Sequence, residues 1–107
     1  MKIAIAAMTR DEKAEISHQG ARAVCYLVYD ETGKLCDVIE NPFKDYDRAV
    51  GLHVADYLAE KSVSAVVAAH IGSGFERSLD AKGIRHIESE GIISDVVEEL
   101  AARLEAD

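Results

Sequence analysis

The stretch Ala23-Val24-Cys25-Tyr26-Leu27-Val28-Tyr29-Asp30-Glu31-Thr32-Gly33-Lys34-Leu35-Cys36-Asp37-Val38-Ile39-Glu40 decides the fold. Ala23 to Tyr29 is rich in β-branched and aromatic residues and reads as a strand. Asp30 to Lys34 is turn chemistry, with Gly33 able to take positive φ. Leu35 to Glu40 returns as a second strand, so the unit is a hairpin. Asn41-Pro42 ends it, because proline has no N–H to give to the ladder. A simple hairpin register places Tyr29 opposite Cys36. Cys25 and Cys36 are then too far apart for a disulfide. Neither belongs to a C-x-x-C pair or a zinc-type spacing, so both read as free thiols.

Outward from the hairpin, the pattern changes. Before it, Ile3 to Met8 is a continuous apolar run, which suits a central strand covered on both faces. The opening Met1-Lys2-Ile3-Ala4-Ile5-Ala6-Ala7-Met8 is too short for a signal-peptide core and runs directly into Thr9-Arg10-Asp11-Glu12. The polar stretch from Thr9 to about Gln19 reads as a long loop. After the hairpin, Arg48 to Lys61 carries Val50, Val54, Tyr57 and Leu58 at helical spacing. Gly51 lowers the propensity of that helix, which points to close backbone packing or a frayed first turn. Ser64 to Ala69 is a second buried apolar strand. Gly72-Ser73-Gly74 breaks the chain before a short helix over Phe75 to Lys82, and Gly83 is its expected stop. Ile84 to Glu88 is a last short strand. Ser94 reads as the N-cap of a final helix, with Asp95 in its first turn and Val96, Val97, Leu100, Ala101 and Leu104 as its buried stripe.

This order implies one α/β domain spanning residues 1–107. A hairpin followed by right-handed helical crossovers gives a five-stranded mixed sheet of order 3-2-1-4-5, with strand 2 antiparallel and helices on both faces. Strands 1 and 4 form the point where connections leave in opposite directions, and ligands of open α/β sheets bind outside the carboxyl ends there. Those ends carry the Thr9–Gln19 loop and His70-Ile71-Gly72-Ser73-Gly74.

Composition narrows the function classes. Lys and Arg number 12 against 20 Asp and Glu, a formal charge of −8. Such a surface repels phosphate backbones, so nucleic acid is not expected as a partner. No apolar run is long enough to span a bilayer, so no membrane partner is expected either. With no export signal read at its start, the chain is expected to be cytoplasmic, with its cysteines reduced. At this length the buried fraction is modest, and an oligomer is one route to greater stability.

The candidate residues gather at the expected crevice. His18 lies late in the loop, where neutral imidazole is a common metal ligand. His70 ends strand 4 and is placed to face it, and the pair is the candidate metal-ligand set. The plain alternatives are an exposed loop histidine and a histidine hydrogen-bonded at a strand end. Gly72-Ser73-Gly74 precedes a helix whose amides can hold an anion. Its plain alternative is a tight turn in which glycine supplies positive φ. No nucleophile–base signature is visible. Strands 1 and 4 carry none of the acids that two-metal phosphoryl chemistry needs at strand ends.

Taken in order, several segments resemble a known family. They are Met1-Lys2-Ile3-Ala4-Ile5-Ala6, His18-Gln19-Gly20-Ala21-Arg22-Ala23, Tyr26-Leu27-Val28-Tyr29-Asp30 with Thr32-Gly33, Val38-Ile39-Glu40-Asn41-Pro42, Ala65-Val66-Val67-Ala68-Ala69-His70-Ile71-Gly72 and Lys82-Gly83-Ile84. The chain resembles the dinitrogenase iron–molybdenum cofactor biosynthesis proteins, which include nitrogenase accessory proteins and small stand-alone relatives. The resemblance implies a ribonuclease H-like three-layer fold. It also implies non-catalytic binding or carriage of an iron–sulfur or iron–molybdenum type cluster, with a cofactor-assembly protein as partner. In the nitrogenase branch a His-Phe-Gly loop element is tied to cluster binding. His18 matches its histidine and Gly20 its glycine, while Gln19 replaces the phenylalanine. Lys44-Asp45-Tyr46-Asp47-Arg48 stands where relatives often carry a glycine-rich stretch. The expected cofactor-binding set is His18, Gly20, Arg22, Gly72, Ser73 and Gly74. The alternative function is a module binding a small anion or a protein partner without metal.

Overall fold

The chain runs β1 (Lys2–Ala7), β2 (Cys25–Asp30), β3 (Leu35–Glu40), α1 (Val50–Glu60), β4 (Ala65–Ala68), α2 (Ser73–Ala81), β5 (Arg85–Glu88) and α3 (Ile93–Ala106) in a computed structural model, which describes residues 1–106 and side chains as far as Arg103. The sheet order is β3-β2-β1-β4-β5. β2 runs antiparallel to both β1 and β3, whereas β1 pairs with β4, and β4 with β5, in parallel. This is the mixed α/β sheet expected from the sequence, within a residue or two at most strand ends.

Side-chain alternation along the strands builds two cores, because successive residues point to opposite faces. One face presents Ala4, Ala6, Tyr26, Val28 and Val66, packed by Val54 and Leu58 of α1 and by Phe75 and Leu79 of α2. The other presents Ile3, Ile5, Leu27, Tyr29 and Val67, packed by Ile93, Val96 and Val97 of α3. The small residues on the first face let α1 and α2 lie close to the sheet. They also lie close to each other: a Cβ on Gly51 would stand 2.8 Å from the Phe75 Cα and 3.0 Å from its N. Of the two readings of Gly51, the structure therefore selects close backbone packing.

Four local expectations are corrected. The β2–β3 ladder is irregular between Val28 and Tyr29: Val28 pairs with Asp37 and Tyr29 with Leu35, so Cys36 is the extra residue of a bulge rather than the partner of Tyr29. Its thiol lies 3.4 Å from the Val28 carbonyl, and both cysteines are free. The first helix begins at Val50, two residues late, because Ala49 adopts a left-handed φ of 57° that helical backbone does not allow. The second begins at Ser73, two residues early, on a Gly72 that is extended. Ser94 is not an N-cap. α3 starts at Ile93, and the orphan amides of its first turn are met by another segment, Ile93 N–H donating to the Ala14 carbonyl at 3.0 Å and Ser94 N–H to that of Glu12 at 2.9 Å. The Ser94 hydroxyl is left buried with no partner among the described residues. Val96 and Val97 of the expected stripe are buried, Leu100 and Ala101 half-buried, and the side chain of Leu104 lies outside the described residues.

A candidate ligand crevice at the ends of β1 and β4

Where β1 and β4 end, the segment before β2 takes over the hydrogen bonding. Ser17 N–H donates to the Ala6 carbonyl at 2.8 Å and Ala69 N–H to that of Ser17 at 3.1 Å. His70 N–H donates to the His18 carbonyl at 2.8 Å, and Gly20 N–H to the His70 carbonyl at 3.0 Å. The 9–19 loop is therefore fixed by ladder bonds at its end and by α3 in its middle. This pairing brings His18 and His70 together, their rings stacked at 6.1 Å between centroids and 20° between planes. Both side chains are exposed.

Beside this pair lies a groove of about 530 Å³, within the range that small ligands occupy. Gly20, Arg22, His70, Gly72 and Gly74 line it, together with the first turns of α1 and α2. His18 faces an adjoining recess of about 380 Å³, and Gln19 and Arg22 border both. The Ser73 side chain lines neither. No Asp or Glu is among the lining residues of either space, and Arg22 is the formal charge they share. In a chain with 20 acids and 12 bases, that is a local reversal of sign.

The α2 N-terminus adds to it. The Ser73, Gly74 and Phe75 amides donate to no acceptor among the described residues, and the first bond within the helix is Glu76 N–H to the Gly72 carbonyl at 2.9 Å. Such amides carry partial positive charge. The turn explanation for the two glycines does not hold. Gly72 has a φ of −66°, neither it nor Gly74 is among the positive-φ residues, and a Cβ on either would meet nothing within 4 Å. What these glycines supply is open space above the groove. Gly74→Ala is expected to leave stability unchanged or raise it by about 0.5–1 kcal/mol, as alanine is the better helix former. Its methyl group would weaken whatever binds at the amides. Thermal melting and a ligand titration on one sample separate the two effects.

Asn41, Tyr26 and Glu88, which the sequence did not single out as site residues, hold the walls together with Arg22. Asn41, 5% exposed, gives both amide hydrogens to the carbonyls of Ala21 (2.9 Å) and Ala23 (2.8 Å) and accepts the Phe43 N–H at 3.0 Å. Arg22 reaches the carbonyls of Lys44 (2.8 Å) and Tyr46 (3.0 Å), stitching the segment before α1 onto the groove rim. The buried Tyr26 hydroxyl donates to the Gly20 carbonyl at 2.5 Å, and its burial pushes the phenol far above its ordinary range. Glu88 accepts the Ile71 N–H at 2.8 Å and lies 3.6 Å from His70 Nδ1. A carboxylate beside one imidazole nitrogen favours ligation through the other.

This donor set suits an anionic ligand. It offers two imidazoles, a guanidinium and free amides, and no thiolate. Cys25 is buried, and burial, with the Glu40 carboxylate adding, pushes its thiol up despite the opposing Arg10. Iron–sulfur clusters are most often held by cysteine thiolates; here imidazoles and hydrogen-bond donors stand in that place.

The fold recurs in solved structures. The apo form of the orange protein from Desulfovibrio gigas superposes with a TM-score of 0.87 at 19% identity, over 96% of this chain and 88% of that one. A putative NifB protein from Thermotoga does so with a TM-score of 0.78 at 24% identity, over 94% and 87%. No curated protein is similar enough to match the chain. The family model for dinitrogenase iron–molybdenum cofactor proteins matches residues 1–103, and the chain belongs to that family.

Proposed function

We infer that this protein binds and carries a preformed, anionic metal–sulfur cluster of the iron–molybdenum type and does not transform it. The observation that carries the reading is the stacked His18–His70 pair at the mouth of a groove with no Asp or Glu among its lining residues, in an acidic chain. Family membership supports the class of cargo. In this reading His18 and His70 ligate the metal, Glu88 orients His70, and Arg22 with the Ser73, Gly74 and Phe75 amides neutralises the cluster's charge. No group in the crevice is paired as nucleophile and base, which favours a carrier over an enzyme. Delivery to a cofactor-assembly protein in the cytoplasm follows from that role. No helix among the described residues is long and apolar enough to cross a membrane.

The test is anaerobic reconstitution with iron, sulfide and molybdate, followed by metal analysis of the desalted protein. Bound metal in the parent chain, reduced at least about tenfold in His18→Ala and in His70→Ala, is the expected result. Absence of metal, or retention unchanged in both variants, would overturn it. Arg22 and the free amides also favour a second reading, a metal-independent anion site. Thermal stabilisation by molybdate or phosphate alone, undiminished in His18→Ala, would select it.

A further inference from the structure

On the far side of α2 from the crevice, a second group of ligating side chains converges. Glu76 and Asp80 stand one turn apart on α2, and His86 projects toward them from β5. One ligand atom from each of the three lies within 4.8 Å of the others. His86 Nε2 is 3.0 Å from Asp80 Oδ1. Glu76 and Asp80 are exposed and His86 half-buried. Two carboxylates at i and i+4 repel each other on a bare helix. Lys82, two residues beyond Asp80, is engaged elsewhere, 3.0 Å from Asp56 on α1. His86 pairs directly with Asp80, and Glu76 stands within 4.8 Å of both.

We propose that Glu76, Asp80 and His86 form a binding site for a divalent first-row transition cation, separate from the crevice. Two carboxylates balance the charge of a dication, and an imidazole nitrogen selects zinc, nickel or copper over magnesium and calcium. Bonds of about 2.0–2.2 Å in a tetrahedral arrangement place ligand atoms roughly 3.3 Å apart. The 3.0 Å His86–Asp80 contact is already at that spacing, and rotation of the flexible Glu76 side chain closes the remainder. Three protein ligands leave a fourth position to water or to a group from another molecule. The ion would reinforce the contact that His86 and Asp80 already make between α2 and the edge strand β5.

The site rests on residues that the crevice does not use, so its test is independent of the cluster reading. Metal-free protein is titrated with Zn²⁺ by calorimetry and with Co²⁺ by visible absorption, in the parent chain and in the His18→Ala/His70→Ala double variant. One equivalent bound in both is expected. Asp80→Asn and His86→Ala are expected to weaken that binding at least about tenfold, compared under conditions where each variant remains folded. Ca²⁺ is expected to give no saturable binding. Loss of Zn²⁺ uptake in the double variant, or uptake unaltered by Asp80→Asn and His86→Ala, overturns the proposal.

Discussion

Gly51→Ala is expected to destabilise the protein by about 1–2 kcal/mol in urea denaturation, although alanine is the better helix former. The two effects can be weighed. Alanine in a helix interior gains about 1 kcal/mol over glycine. Against this, the new methyl carbon would stand 2.8 Å from the Phe75 Cα and 3.0 Å from its N. These are backbone atoms, so no rotamer change relieves the clash, and overpacking of this kind costs about 1–3 kcal/mol or more. The first turn of α2 has to retreat, loosening Phe75 and Leu79 from the core they share with α1. That same turn is a wall of the groove, so the affinity of any ligand bound there falls with stability. Gly74→Ala, where a Cβ meets nothing, is the matched control. A Gly51→Ala protein as stable as the parent would mean that the helices are not held this close.

Asn41→Ala is expected to lower stability by about 3 kcal/mol, measured in the same way. The substitution removes three hydrogen bonds at once, two given to the carbonyls of Ala21 and Ala23 and one accepted from Phe43 N–H. A buried polar group left without a partner costs about 1–3 kcal/mol. The Ala23 contact is fully buried while the other two are partly open, so water recovers some of that. Against a total stability of about 5–15 kcal/mol for domains generally, the loss is large. Asn41→Asp is no rescue, since it turns a carboxylate toward two carbonyl oxygens. The segment released carries Arg22, so anion binding in the groove weakens too. A change below about 1 kcal/mol would show that solvent already reaches these groups.

The fold was legible because its signals are local and repeated. Apolar runs from Ile3 to Met8 and from Ser64 to Ala69 and the hairpin between Ala23 and Glu40 fix the strands, and chain connectivity fixes their order. The crevice was legible as a place, from the carboxyl ends of β1 and β4. What escaped was whatever a distant segment decides. Ser94 has the sequence of a helix cap, but carbonyls of Glu12 and Ala14 already do that work. The extra residue at Cys36 shifts a register that even alternation cannot reveal. Asn41 looked like a strand terminator because Pro42 follows it, while its side chain serves a loop twenty residues earlier. Glu88 shows no mark in sequence of its place beside His70. The glycines at 72 and 74 suggested a tight turn, and only the backbone angles show that no turn requires them.

The ladder between Ser17–Gly20 and Ala69–His70 joins parts of the chain separated by some fifty residues. Neither half of the crevice exists in a fragment, because His18 is positioned by β4 and His70 by the loop that precedes β2. A partly opened molecule in which β4 has left β1 has therefore lost its binding surface entirely. Any cargo held there favours the closed form alone, so its full binding free energy opposes global unfolding. A chain with a ligand bound there is thereby harder to open than an empty one, so occupancy and resistance to proteolysis are expected to rise together.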